Sequence, residues 1–517
     1  INFWVGLVLL QIVLGLALTG YLLPWDQKGY YATQVSTKIM GATPVVGVEL
    51  QELAQGGKEY GHHTLTRFFA MHAGVFPAMF VGCLAFHIYV FRRHGLTVKL
   101  PKRKPDTTFW PDQVLKDGIG CLAVLVLVLV LTLWKGAELN APADPSVPFK
   151  AARPEWYFLF LFRFLKFEFI ERFGLAFGAI YVPGLVMLVI ALMPLVGRSV
   201  AGHKFNVAFT WALTAGISLL TVMAFVEDGS DDEHQAALRE AHRDAVRIRE
   251  LAAGPDRIPV SGAVTLMRED PFTQGPRLFA KHCSACHRYN RHNGRGRLVY
   301  GTARATDGKP VEAPPTAPDL GRSGLRFASR EWMSGVVLDY RSHFAALKDA
   351  PWFDESEMAN WSDNAEALRG DANRQNVADL VEFLVSQAGH RSETVDKVNV
   401  ERGRALAVDG GWAGGIEITC ADCHSTIGEK DFMPISEDDA DGYPNLSGYG
   451  SAAWLKSFIS NPGAAQHYGE KNQMPAFEKK MTSQQLDLLV RWLARDYVPT
   501  EIPPLEPPKP ADEPASE

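Results

Sequence analysis

Apolar residues cluster strongly along the chain. Five stretches, roughly 1–22, 67–91, 118–136, 173–196 and 205–226, are almost continuously apolar. Each reaches the length of about 20 residues that a helix needs to cross a bilayer, so five transmembrane helices are predicted. The pattern changes after Val226. Residues 227–252 are charged and Ala-rich (AALREAHRDAVRIRELAA) and predict an exposed helix within a linker over 227–261. Farther on, short helical patterns alternate with Gly and Pro, and two of them are clearly amphipathic: VADLVEFLVSQ at 377–387 and QLDLLVRWLAR at 485–495. The expected class is all-α: a multi-span membrane bundle followed by two small helical domains.

Those two domains look like copies of one unit. Gly275 and Phe279 precede Cys283-Ser284-Ala285-Cys286-His287, and Gly403 and Leu406 precede Cys420-Ala421-Asp422-Cys423-His424. Pro318-Asp319-Leu320 with Trp332 is answered by Pro444-Asn445-Leu446 with Trp454, and each amphipathic helix closes one copy. Domains over 262–390 and 391–498 follow, then a Pro- and acid-rich tail over 499–517 expected to be disordered. Arg288 to Pro315 has no counterpart in the second copy and reads as an inserted loop. Each CxxCH run suits covalent haem attachment, with thioethers from both Cys and iron ligation by the His. In the second copy Met474, in Gln473-Met474-Pro475, is placed to be the sixth ligand. A thioether opposite His raises the haem potential. For the first copy Met358 is the best-placed candidate, ahead of Met333 and His343.

Charge then orients the membrane half. Arg92, Arg93, Lys99, Lys102, Arg103 and Lys104 follow the second span, and Arg198 and Lys204 lie on the same side when spans alternate. The domains after Val226 then fall outside, the periplasmic side of a bacterial inner membrane, where c-type haem is attached. The formal net charge of −6 includes no basic tract that suggests nucleic acid. Four of the six cysteines belong to the CxxCH runs; Cys83 and Cys121 lie alone in apolar helices, so no disulfide framework is implied. The chain opens at Ile1 inside an apolar helix, and an upstream segment is expected.

The second span carries His72 and His87. Fifteen residues leave them within about 60° of one helix face and about 22 Å apart along the axis. Ionisable groups at membrane depth are rare and usually functional. One imidazole toward each leaflet would ligate two stacked b-type haems. Bis-His ligation needs a further pair from another helix, and the other four spans offer none, which points to an upstream segment or a partner chain.

Three motifs carry a family resemblance. Thr19-Gly20-Tyr21-Leu22-Leu23-Pro24-Trp25-Asp26-Gln27, Thr64-Leu65-Thr66-Arg67-Phe68-Phe69 before His72, and Pro154-Glu155-Trp156-Tyr157 together resemble cytochrome b of the bc1 and b6f quinol-oxidising complexes. The resemblance implies that the spans are helices three to seven of that fold, with the other haem-ligating histidines upstream. His72 would serve the outer haem, His87 the cytoplasmic one, and Arg67 a haem propionate. The His72–His87 interval and Trp25-Asp26-Gln27 resemble the b6 branch. Lys116-Asp117 resembles the bc1-type quinone-reduction site, with Arg92 a weaker candidate there.

By that resemblance Pro154, Glu155, Trp156 and Tyr157 line a quinol-oxidation pocket. Glu155 would be the proton acceptor, desolvated enough for its pKa to rise, and Tyr157 a hydrogen-bond donor to the quinone. The implied protein is a cytochrome b fused to a dihaem cytochrome c, a translocating quinol–cytochrome c oxidoreductase subunit active only within a complex. It would need a separate Rieske iron–sulfur protein, a homodimeric assembly, and a soluble cytochrome c or terminal oxidase as acceptor. Two other readings compete: a membrane electron conduit to a dedicated periplasmic reductase without bifurcation, and a non-enzymatic sensing module on a b-type anchor.

Overall fold

The computed structural model describes residues 1–95, 108–137, 139–255, 257–304, 310–321, 327–390, 393–424, 426–429, 431–438, 443–503 and 505. Lys99, Lys102, Arg103, Lys104 and the tail from 506 lie outside the described residues. The chain is mostly helical and divides into two units, Ile1–Val246 and Arg247–Glu517.

In the first unit α1 (Asn2–Tyr21) is followed by the shorter α2 (Gln27–Gly41) and α3 (Gly47–Gln55), then α4 (His62–His94) and α5 (Phe109–Lys135). A short apolar helix, α6 (Trp156–Leu165), precedes α7 (Phe177–Val196) and α8 (Val200–Ser230). The five helices α1, α4, α5, α7 and α8 are long and apolar enough to cross a membrane, matching the five expected spans. Most of their large apolar side chains face outward, and α5 buries none. That distribution costs little in lipid, where the surroundings are as apolar as the side chains. α1 packs antiparallel on α4: Gly6 lies beside His87 at one end, and Gly20 beside His72 at the other. The charged segment forms α9 (Asp232–Ala253), as its composition predicts.

The second unit is built from short helices: α10 (Pro271–His282), α11 (Arg330–Leu338), α12 (Glu357–Trp361), α13 (Arg374–Ala388), α14 (Lys397–Asp409), α15 (Ala452–Ser460) and α16 (Ser483–Leu493). Between the first CxxCH run and α11, strands β1 (Tyr300–Arg304) and β2 (Pro310–Glu312) pair antiparallel within the stretch read as an insertion.

The helices do not pair as the division at 390/391 requires. α10, which leads into the first CxxCH run, packs on α16, the last helix of the chain, and α14 packs on α13. Both crossings rest on a glycine. A Cβ on Gly275 would lie 2.2 Å from Trp492 Cβ, and one on Gly403 would lie 1.9 Å from the Asp379 carbonyl oxygen. The boundary expected between two serial domains therefore falls inside a helix pair. The reason is physical: the two copies carry the same helix pattern, so the closing helix of either fits the opening helix of either. Gly403→Ala is expected to destabilise the unit by about 1–3 kcal/mol through overpacking. An unchanged thermal unfolding midpoint would show that the α13–α14 contact is loose.

The start of the tail is also placed, contrary to the expectation of disorder from 499. Arg247 Nη2 donates to the Val498 carbonyl at 2.9 Å, Nη1 donates to that of Pro499 at 3.4 Å, and Thr500 Oγ1 donates to Glu250 at 2.6 Å. Buried guanidinium donors need acceptors, and here the chain end supplies two.

Candidate functional site

The first site forms where the loop Pro154–Tyr157 meets the first turn of α2. Asp26 caps α2, accepting from Gly29 N at 2.8 Å, and its other oxygen accepts from Asn140 N at 3.1 Å. Gln27 N donates to the Ala141 carbonyl at 2.9 Å, Ala143 N to that of Trp25 at 3.0 Å, and Tyr31 Oη to that of Val147 at 2.8 Å. These bonds strap the segment entering the Glu155 loop to α2. On its other side Arg153 donates to Asp228 at 2.9 Å, and Arg163 and Lys166 grip Glu227 at 2.8 and 3.2 Å. The loop is thus clamped between α2 and the end of α8.

Within it Glu155 Oε1 accepts from Lys28 Nζ at 2.9 Å, with roughly a third of each side chain exposed. Tyr21 lies within electrostatic reach of Glu155, and Lys28 Nζ stands 5.9 Å from the Tyr21 ring. Trp156 and Tyr157 pack edge to face at 5.6 Å and are both exposed, while Pro154 is half-buried. Partial burial and the Glu155 charge raise the Tyr157 phenol above its ordinary range, so it stays a hydrogen-bond donor.

Lys28 and Tyr21 are the site residues that sequence reasoning missed as such. For Lys28 a signal existed. A cation in the first turn of a helix opposes the macrodipole, and such a placement asks for an anion nearby.

The second arrangement is the histidine pair of α4. His72 lies in a π-helical turn, Met71–Val75. A π turn accommodates an extra residue, and such turns frequently mark functional sites. Here it falls within the fifteen-residue interval, at His72 itself. His72 Nδ1 lies 3.0 Å from the Leu16 carbonyl oxygen and 3.3 Å from Thr19 Oγ1, so α1 fixes one ring nitrogen and leaves Nε2 for a metal. His87 Nδ1 is buried with no partner among the described residues, and Gly6 faces its ring. The orphaned nitrogen of His87 and the Nε2 of His72 that α1 does not bond fit iron ligation by each ring.

The remaining membrane candidates stand apart from these. Arg67 donates through Nη1 to the Leu53 carbonyl at the end of α3. Asp117 accepts from Gln113 Nε2 at 2.8 Å on exposed α5, with Lys116 beside it, and Arg92 is exposed at the end of α4.

The third arrangement is repeated. In both CxxCH runs the chain turns so that the His amide donates to the carbonyl of the first Cys, at 2.9 Å for His287 and 2.8 Å for His424. His287 Nδ1 lies 2.9 Å from the Pro318 carbonyl oxygen, and His424 Nδ1 lies 2.9 Å from that of Pro444. A carbonyl at Nδ1 selects the tautomer with the proton there and leaves Nε2 as the basic nitrogen, the second-shell device of metal-binding histidines. The repeated Pro-Asp-Leu and Pro-Asn-Leu segments thus acquire a role that their repetition alone did not reveal.

Burial holds the His287 imidazole neutral. It also pushes the Cys283 thiol up to about 12 and the Cys420 thiol up to about 11. Two thiols beside a His tied through Nδ1 fit covalent haem attachment. Met474 is half-buried, its amide donating to Asn472 Oδ1 at 2.9 Å and its carbonyl accepting from Asn472 Nδ2 at 2.6 Å. Met358 is half-buried on α12.

Comparison with known proteins locates the similarity in the membrane half. The family model for cytochrome b (N-terminal)/b6/petB matches residues 1–142. A cytochrome bc complex cytochrome b subunit of Chlorobaculum thiosulfatiphilum is 35% identical over 215 residues, which cover 40% of this chain and 49% of that protein. The chain therefore spans about half the length of that curated relative. A solved structure titled hyperthermophilic respiratory Complex III overlaps 44% of this chain and 62% of its own, at 22% identity and a TM-score of 0.37, too little overlap to carry an argument. Residues 1–142, which carry the first three membrane-spanning helices, are thus what this chain shares with the cytochrome b/b6 family.

Proposed function

We propose that the chain is a fused cytochrome b and dihaem cytochrome c subunit of a quinol–cytochrome c oxidoreductase in a bacterial inner membrane, with the unit after Val246 on the periplasmic side. What carries this reading is one polypeptide holding a cytochrome b membrane portion and two CxxCH loops, each with its His tied through Nδ1 to a proline carbonyl at 2.9 Å. His72 and His87 would each hold one b-type haem, completed by an imidazole from another helix. Cys283, Cys286 and His287 would hold one c-type haem, and Cys420, Cys423 and His424 the other. When bound, these groups supply one-electron redox chemistry.

The protein's own residues would handle substrate and protons. Trp156 and Tyr157 offer an apolar wall and a phenol donor to a quinol ring. Oxidation of a quinol releases two protons with two electrons. Glu155 would accept a proton at its carboxylate, which the ion pair with Lys28 orients. In this reading one electron leaves to a separate Rieske protein and the other enters the membrane path toward a quinone site at Lys116-Asp117. The c-type haems on Cys283, Cys286 and His287, and on Cys420, Cys423 and His424, would supply one-electron carriers toward a soluble cytochrome c or oxidase, in a dimeric complex coupled to proton translocation.

A pyridine haemochrome spectrum of the purified complex tests the reading. The expected count is two b haems and two c haems per chain, with covalent haem staining on this polypeptide and quinol-dependent cytochrome c reduction blocked by inhibitors of the quinol pocket. Absence of covalent haem, or haem reduction without inhibitor-sensitive turnover, would overturn it.

A further inference from the structure

The helix exchange in the second unit decides which methionine faces which CxxCH run. α10 ends at His282, whose ring meets Phe477 edge-on at 6.3 Å, and Phe477 lies three residues after Met474. Phe279 of α10 packs at 5.7 Å from Trp492 of α16, and Tyr289, just past the first CxxCH run, lies 4.4 Å from the same indole. Cys283 and Met474 consequently pack against one apolar cluster, formed around Phe279, Phe477, Leu489 and Trp492.

Cys420 packs in the other cluster, with Trp332, Leu380, Phe383 and Trp412. Gln387 of α13 donates to the Ile427 carbonyl at 2.7 Å and accepts from Gly448 N at 2.8 Å, holding the chain that leaves the second CxxCH run. Asn373, at the start of α13, exchanges two hydrogen bonds of 2.9 Å with Ala413, and Trp361 of α12 meets Trp412 at 5.7 Å. The two connecting strands of chain cross at Ala328 and Gly450. There φ is +80°, and a Cβ on Gly450 would fall 2.4 Å from that of Ala328. Beyond this crossing each arm enters the other copy's module, an exchange of equivalent elements within one chain that resembles domain swapping between protomers.

We propose that the two haem modules exchange their distal arms. Met474 is then the axial partner of the haem carried by Cys283, Cys286 and His287. The haem carried by Cys420, Cys423 and His424 takes its distal ligand from the arm between Ser329 and Asn373. This rests on the proposed function, and it reverses the expected assignment of Met474 to the second CxxCH run and Met358 to the first. Met358, on α12 beside Trp361, falls in the module of Cys420.

The test uses single-haem forms of the full chain. In the C420S/C423S form the ferric protein is expected to show the long-wavelength Met–haem charge-transfer band. Met474→His should abolish that band and lower the midpoint potential. In the C283S/C286S form Met474→His should leave both spectrum and potential unchanged. The opposite pattern overturns the proposal. Should either form fail to fold, a protease site inserted between α13 and α14 of the two-haem protein decides the matter. Nicked halves that stay together through gel filtration support exchanged arms, and halves that separate as two haem proteins overturn them. A parent chain with no covalent haem at all would overturn the proposed function itself, a result distinct from a serial ligand pattern on a haem-loaded chain.

Discussion

Glu155→Gln is expected to slow quinol-dependent cytochrome c reduction by about 10²–10⁴-fold, the usual contribution of a positioned general base. The b and c haem content should remain that of the parent. Glutamine keeps the size of the side chain and can still accept a hydrogen bond from Lys28 but cannot take up a proton. Its loop is clamped independently by Arg153, Arg163 and Lys166, so the fold does not depend on the carboxylate. Steady-state rates with haem spectra on the same preparation read both quantities. Unchanged turnover would remove Glu155 from the chemistry, and loss of b haem would recast it as structural.

A second large effect is predicted far from that loop. Arg247 is 1% exposed and donates to Asp270, itself 2% exposed, through two nitrogens at 2.8 and 3.0 Å. Asp270 also caps α10, accepting from Thr273 N at 3.0 Å. Arg247→Leu would strand this carboxylate away from water and free the Val498 and Pro499 carbonyls together. Breaking a buried pair by removing one partner costs about 3–5 kcal/mol. The expected result is a markedly lower unfolding midpoint for the second unit and release of the Val498–Thr500 segment, readable by calorimetry and by proteolysis near residue 498. If Arg247→Leu melts with the parent, the pair does not hold α10 in place.

Much of the membrane unit was legible in advance because its governing signal is local. A span needs only uninterrupted apolar length, so all five helices fall where hydropathy put them. The site residues were legible in type but not in partner. The motif containing Glu155 named the carboxylate, while its ion pair with Lys28 joins residues 127 positions apart and depends on how α2 is strapped to the following loop. His72 and His87 were found by spacing, but the π turn at His72 is a backbone adjustment that an ideal helical wheel omits.

In the second unit, the repeat announced two CxxCH modules, and the amphipathic helices announced which faces are buried. Neither could say which closing helix meets which opening helix. Gly275 accepts the indole of Trp492, and Gly403 accepts the backbone of α13, although the pattern along the chain would permit the reverse pairing equally well. What residue order determined by itself is the inventory: five lipid-length helices, His72 and His87 fifteen residues apart within one of them, one carboxylate in an apolar loop and two CxxCH runs. Tertiary structure alone decided the pairings among them. A repeated pattern encodes which surfaces are complementary, but the choice between equivalent partners is made by packing, where Ala328 and Gly450 let the two arms cross.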